Sequence, residues 1–139
     1  MASATVNATV AAPREVVYRL FADRESMNPY LRVPITLTKP GATEREGVGA
    51  QHRIGKGPLA ITEEITALVP GERMEYTIVK GAPVKRHMGT ITFADAGNAT
   101  QVSYTIEAEP TLPVPAAIMQ FVLRNLIGQL IKGAQHAVR

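Results

Sequence analysis

From Ser3 to Val10, apolar Ala4, Val6, Ala8 and Val10 alternate with polar Thr5, Asn7 and Thr9, the two-residue period of a strand with one buried face. After Val10 the period changes. Pro13 suits a first helical position, where its missing N–H costs nothing. Val16, Val17, Leu20 and Phe21 then share a stripe while Arg14, Glu15, Arg19 and Asp23 face elsewhere, predicting a short amphipathic helix. Ser26 can cap a second brief helical turn through Met27, which ends near Pro29 and Tyr30 because the proline ring disrupts a continuing helix.

Between Leu31 and Glu109 the chain is punctuated by turn chemistry at Pro40-Gly41, Gly55-Lys56-Gly57-Pro58, Pro70-Gly71, Gly81-Ala82-Pro83 and Ala96-Gly97-Asn98. The segments between these turns carry strand periodicity, predicting six further strands in an antiparallel meander. One face gathers Gln51, Arg53, Thr62, Glu64, Thr66, Glu75, Thr77, Arg86, Thr90, Thr92, Ser103, Thr105 and Glu107, a solvated surface. The other gathers Val48, Ala50, Ile54, Leu59, Ile61, Ile65, Met74, Tyr76, Ile78, Ile91, Phe93, Val102, Tyr104 and Ile106, so the sheet has one wet and one covered side. Pro113 and Pro115 introduce a last segment in which Ile118, Met119, Phe121, Val122, Leu123, Leu126, Ile127, Leu130, Ile131 and Ala134 form a wide apolar arc, with Gln120, Arg124, Lys132, Gln135 and Arg139 opposite. This long helix is expected to lie over the apolar side of the sheet, burying Phe121 and Leu126. A partner-binding or membrane-surface role for it is the alternative, since the arc is wider than one sheet contact requires.

Composition narrows the class. A chain of 139 residues with 45% hydrophobic content suits a single domain spanning 1–139 with its own core. The formal charge of +3 comes from scattered Lys and Arg, and with no Trp, three Phe and four Tyr neither a phosphate-tracking surface nor a base-stacking platform is indicated, so no nucleic-acid partner is expected. The absence of Cys removes disulfides, thiolate chemistry and Cys-ligated metals, and fits a reducing compartment. Met1 to Ala12 lacks a basic leader with an apolar run, and no stretch reaches about 18 apolar residues. A soluble, cytoplasmic protein without a transmembrane segment is expected.

The order strand, two short helices, six antiparallel strands and long C-terminal helix resembles the START and Bet v 1-like superfamily, including its polyketide cyclase/dehydrase and lipid-transport members. The likeness is carried by the segment from Val10 to Asp23, the strand segment from Glu63 to Tyr76 and the last helix, and it covers nearly the whole chain. It implies an α+β helix-grip fold, a seven-stranded antiparallel sheet wrapped around the C-terminal helix. It also implies a cavity between them for an apolar ligand. No catalytic motif and no cofactor come with it.

Strand parity isolates the polar side chains His52, Glu63, Tyr76, His87 and Tyr104 on the otherwise apolar face. Glu63 is the sharpest anomaly, because an unpaired buried carboxylate is costly and must find a partner, a water or a proton. Tight turns would set Ala50, Glu63, Ile78 and His87 in one cross-strand row, with Glu63 and His87 about 9.5 Å apart at the backbone and His52 diagonal to Glu63. Read as chemistry, Glu63 and His87 form an acid–base pair around a carbonyl substrate. Read as structure, Glu63 is solvated at the cavity mouth and His87 only hydrogen-bonds at a strand end. Tyr76, Tyr104 and His52 are core residues or orient a ligand. Met27, Tyr30, Ile61, Tyr76, Ile78 and Met119 are the expected cavity lining.

Two imidazoles and a carboxylate could in principle hold a metal, but no short-range motif supports one at His52, Glu63 and His87, and none is expected. His136 sits where a helix C-terminus favours a cation. Asn125 and Gln129 flank the apolar arc. Neither a phosphate loop around Lys56 nor a G-x-S-x-G nucleophile turn is present. Three readings follow. The first, slightly favoured, is a cofactor-free cyclase or dehydratase acting on an apolar carbonyl compound. The second is a non-catalytic carrier of a lipid or other hydrophobic small molecule, and the third is an accessory module that contacts a partner protein through the last helix.

Overall fold

The structure, a computed structural model, describes residues 2–139, the side chain of Leu59 excepted; the expected place of Leu59 on the covered face therefore lies outside the described residues. Strand β1 (Ala2–Val10) leads into helix α1 (Arg14–Ala22) and a 3₁₀ helix (Arg24–Tyr30). Six strands follow, β2 (Ile35–Lys39), β3 (Gln51–Ile54), β4 (Ile61–Val69), β5 (Arg73–Lys80), β6 (Val84–Ala96) and β7 (Ala99–Pro110), and helix α2 (Ala116–Ala137) closes the chain. All seven strands pair antiparallel in the order β1-β7-β6-β5-β4-β3-β2. The expected helix-grip architecture is present. The first strand reaches the last because β1 aligns along β7 from Ala2↔Ala108 to Val10↔Thr100, and the buried Thr100 hydroxyl donates to the Ala12 carbonyl at 2.8 Å, pinning the turn into α1.

Alternation places the core as expected on one side of the sheet, where Ala50, Ile65, Met74, Tyr76, Ile91, Phe93, Val102, Tyr104 and Ile106 are buried. Val48, read as a member of this face, is instead exposed, because it lies in the connection ahead of β3 rather than in a strand. Helix α1 is rotated from the expected stripe. It buries Val17, Tyr18, Phe21 and Ala22 and leaves Val16 46% exposed, since Tyr18 and Phe21 offer far more apolar area to the sheet than Val16 does. Both rings pack on Phe93, with centroids 5.6 and 5.8 Å away. Pro13 is extended, at φ −60° and ψ 152°, and so stands one position before the helix.

The 3₁₀ helix ends at Tyr30, as expected, with Pro29 in its last turn. Ser26 does not cap it; its hydroxyl donates back to the Asp23 carbonyl. Asn28 fixes the exit, its side chain donating to the Ile35 carbonyl at 2.9 Å and accepting from the Ile35 N–H at 2.7 Å.

Helix α2 departs most from expectation. Leu123, Ile127, Ile131 and Ala134 are buried along one line, but Phe121 is 68% exposed and Leu126 49% exposed, and Ile118 and Val122 are open too. The reading of Phe121 and Leu126 as core is thus corrected. The helix packs chiefly on β1 and the 3₁₀ helix, and its C-terminal half does most of that work. There Gln135 donates to the Thr9 carbonyl at 3.0 Å, and Gly133 lets the chain approach Met27 and Leu31, since a Cβ on it would stand 3.1 Å from both side chains. A narrow line of contact needs only one side of the helix, and the rest of the arc faces out.

Candidate functional site

Parity aims Glu63 of β4 inward, as the alternation requires, and a cation meets it there. Arg24, at the start of the 3₁₀ helix, places Nη2 2.6 Å from Glu63 Oε1, with both side chains buried. The guanidinium carbon also stands 4.9 Å over the Tyr76 ring, a cation–π placement in a dry setting. Burial opposes the charge on Arg24, but Glu63, Tyr76 and Tyr104 together outweigh it and raise its pKa further. Burial pushes the Glu63 carboxyl above its ordinary value, and Arg24 pulls it back. Among the described residues, Arg24 Nη1 is buried without a hydrogen-bond partner.

Tyr76 of β5 and Tyr104 of β7 hydrogen-bond to each other through their hydroxyls. The two strands are separated by β6, and the bond spans it because Gly89 lies directly opposite Tyr76. A Cβ on Gly89 would fall 2.2 Å from Tyr76 Cζ, so only glycine lets the ring lie across that strand. Burial pushes both phenols above their ordinary values, Tyr76 strongly, and both carry their protons at neutral pH.

The expected row of Glu63, Ile78 and His87 is only partly main-chain paired. Glu63 sits opposite Ile78, and the Ile78 N–H donates to His87 Nδ1 at 3.2 Å. Ala50 does not join this row. It bonds to Ile65 instead, and His52, expected on the diagonal, is directly opposite Glu63. The six-residue connection between Ile54 and Ile61, with its 3₁₀ turn at Gly57–Leu59, sets this pairing one step away from that of a tight hairpin.

No hydrogen bond joins either histidine to Glu63 among the described residues. His52 is fully buried with Nε2 2.6 Å from Glu46 Oε2; burial lowers its pKa and the Glu46 hydrogen bond opposes that. Burial, then the charge of Arg24, push His87 down to about 4, so at neutral pH its imidazole is uncharged, accepting at Nδ1 and carrying its proton on Nε2. Among the described residues no three His, Asp or Glu side chains gather as a metal site; Glu63 is engaged by Arg24 and His52 by Glu46.

Beside Arg24 and the tyrosine pair lies a cavity of about 20 Å³, room for about one water, lined by Phe21, Arg24, Met27, Leu31, Ile35, Met74, Tyr76, Ile91, Tyr104 and Leu130. Of the expected lining, Met27 and Tyr76 stand on this wall. Ile61, Ile78 and Met119 are half-buried away from it, and Tyr30 turns outward with its ring edge-on to His136, centroids 5.6 Å apart. Arg24 and Glu46 were not singled out by the sequence. The sole signal was indirect, that a buried Glu63 needs a partner.

The chain belongs to the family described as polyketide cyclase/dehydrase and lipid transport, whose model matches residues 1–138. Solved structures share its fold. TTHA0849 from Thermus thermophilus is 25% identical with a TM-score of 0.75, the match covering 96% of this chain and 94% of that one. A START superfamily protein from Mycobacterium smegmatis is 14% identical with a TM-score of 0.83, covering 98% and 96%. Norcoclaurine synthase from Thalictrum flavum, in complex with dopamine and hydroxybenzaldehyde, is 12% identical with a TM-score of 0.72, covering 98% and 85%. No protein of curated function matches the sequence.

Proposed function

We propose that the protein binds a hydrophobic small molecule in the interior and anchors one of its oxygens at the polar wall formed by Arg24, Tyr76 and Tyr104. The observation that carries this reading is the buried Arg24 Nη1 with no partner among the described residues, on a side chain that lines a cavity whose walls, the two phenols apart, are otherwise apolar. A buried guanidinium N–H left unmatched is costly, and a ligand carboxylate, carbonyl or enolate oxygen would match it. The family supports the apolar part of the reading. The present cavity admits only a water-sized group, so a ligand enters by displacing Met27, Leu31 and Leu130, which come from the 3₁₀ helix, its exit and α2. None of the three belongs to the sheet ladder.

Binding is favoured over Glu63–His87 acid–base catalysis, because Glu63 is held by Arg24 and His87 is a weak base. The test uses two dyes, neutral Nile red and the sulfonate-bearing anilinonaphthalene sulfonate. Wild type should bind both saturably. The double variant Arg24→Met/Glu63→Leu should keep Nile red and bind the sulfonate at least tenfold more weakly. Failure of the wild type to take up either dye would overturn the reading.

A further inference from the structure

We propose that the end of the molecule where the β3–β4, β5–β6 and β7–α2 connections meet docks on an anionic lipid surface. This does not depend on what the interior binds. The connections are laced together. The Gly55 N–H donates to the Pro34 carbonyl at 2.9 Å and the Thr111 N–H to the Pro83 carbonyl at 2.9 Å, while a Cβ on Gly81 would stand 2.5 Å from the Ala60 carbonyl oxygen. The first turns of α2 follow directly from Thr111. On these segments Val33, Leu112, Val114, Ile118, Phe121 and Val122 are exposed, Leu112 and Phe121 by about two-thirds (67% and 68%). Such an apolar group on a water-facing surface marks a contact site.

Charge selects the occupant. Segments 30–34, 53–60, 79–88 and 111–139 hold exposed Arg32, Lys56, Lys80, Lys85 and Arg124 among their cations and not one Asp or Glu. Of the flanking carboxylates, Glu109 is already engaged by Arg86 at 3.8 Å. At the opposite ends of the strands Glu44, Glu46, Glu72 and Asp95 lie in or beside the connections, with Glu15 of α1 against Gly71, and there acids stand among Arg14, Arg45 and Arg73. A second copy fits this face poorly, because a two-fold contact sets the patch against itself and would bring like charges together. Apolar side chains projecting from several connections and a helix edge, ringed by lysine and arginine, match a layer of anionic headgroups over hydrocarbon.

Flotation with vesicles of phosphatidylcholine, with and without phosphatidylglycerol, tests the assignment. Wild type should float with the phosphatidylglycerol vesicles alone and be released by added salt. The triple variant Lys56→Gln/Lys80→Gln/Lys85→Gln should weaken binding by on the order of a hundredfold, and Ile118→Ser/Phe121→Ser by about tenfold or more. Both variants should keep the wild-type urea midpoint, because every altered side chain is exposed. Three results would each overturn the proposal: no flotation of the wild type, flotation equal in the variants, or a concentration-dependent dimer that Phe121→Ser abolishes without any vesicle binding.

Discussion

Removing one member of the Arg24–Glu63 pair should cost more than removing both. Each side chain is under a tenth exposed and their charged atoms stand 2.6 Å apart, so neither charge has water to fall back on. Glu63→Leu leaves a guanidinium that cannot lose its proton, uncompensated save for its position over the Tyr76 ring. Breaking a buried pair in this way costs about 3–5 kcal/mol, a large part of the roughly 5–15 kcal/mol that holds a domain folded. Arg24→Met leaves a carboxyl that can escape by taking a proton. Its penalty should therefore be smaller and should depend on pH.

The sign follows from linkage. Without Arg24, burial alone acts on Glu63 and keeps its folded pKa above the unfolded value, so the folded state binds the proton more tightly and stability recovers as pH falls through that folded pKa. Urea denaturation followed by circular dichroism, at pH 7 and again at pH 5, checks this. The Arg24→Met deficit should shrink at the lower pH, while the Glu63→Leu deficit should not. The double variant Arg24→Met/Glu63→Leu should lie within about 1 kcal/mol of wild type, giving a strongly non-additive cycle. A Glu63→Leu cost below about 1 kcal/mol, or a double variant as unstable as the sum of the singles, would refute the account of a mutually dependent buried pair.

His87, lowered to about 4 from an ordinary value of 6.5, should favour folding fully above pH 6.5 and lose that contribution as pH falls toward 4, because the unfolded chain protonates first. An NMR titration of its ring protons should show no protonation near pH 6, and a midpoint near 6.5 would contradict the placement. Ile127→Ala, at a fully buried site, should cost about 2–5 kcal/mol, whereas Phe121→Ala should change stability by no more than about 0.5 kcal/mol. Equal denaturation midpoints for the two variants would contradict the packing of α2.

The sheet was legible because a two-residue period is a strict rule. Once Ile61, Glu63 and Ile65 are seen to alternate with Thr62, Glu64 and Thr66, the first half of β4 is committed to its faces; beyond Ile65 a register shift reverses the parity, so that Leu68 packs on the core and Val69 is exposed. Helices are more permissive. The arc on α2 is wide enough that several lines along it could meet the sheet, and the sequence does not say which. Packing chose the line through Leu123, Ile127, Ile131 and Ala134, where Gly133 permits close approach to Met27 and Leu31. The same freedom moved α1 from Val16 to Tyr18.

For the site, parity identified which polar side chains face inward but not what they meet there. His52, Glu63, Tyr76, His87 and Tyr104 lie on strands, so alternation found them. Arg24 lies in a 3₁₀ helix, where three residues per turn over so short a run leave no periodic signal, and nothing separates it from the other basic residues along the chain. Its neighbours decide its role. Displaced outward, Arg24 would be one more solvated cation and Glu63 a carboxyl forced to protonate. Facing inward, it gives Glu63 a cationic partner at 2.6 Å, adds to the burial that depresses His87, lines the cavity, and leaves its own Nη1 without a hydrogen-bond partner among the described residues. A residue that carried no sequence signal therefore determines the chemistry open to those that did.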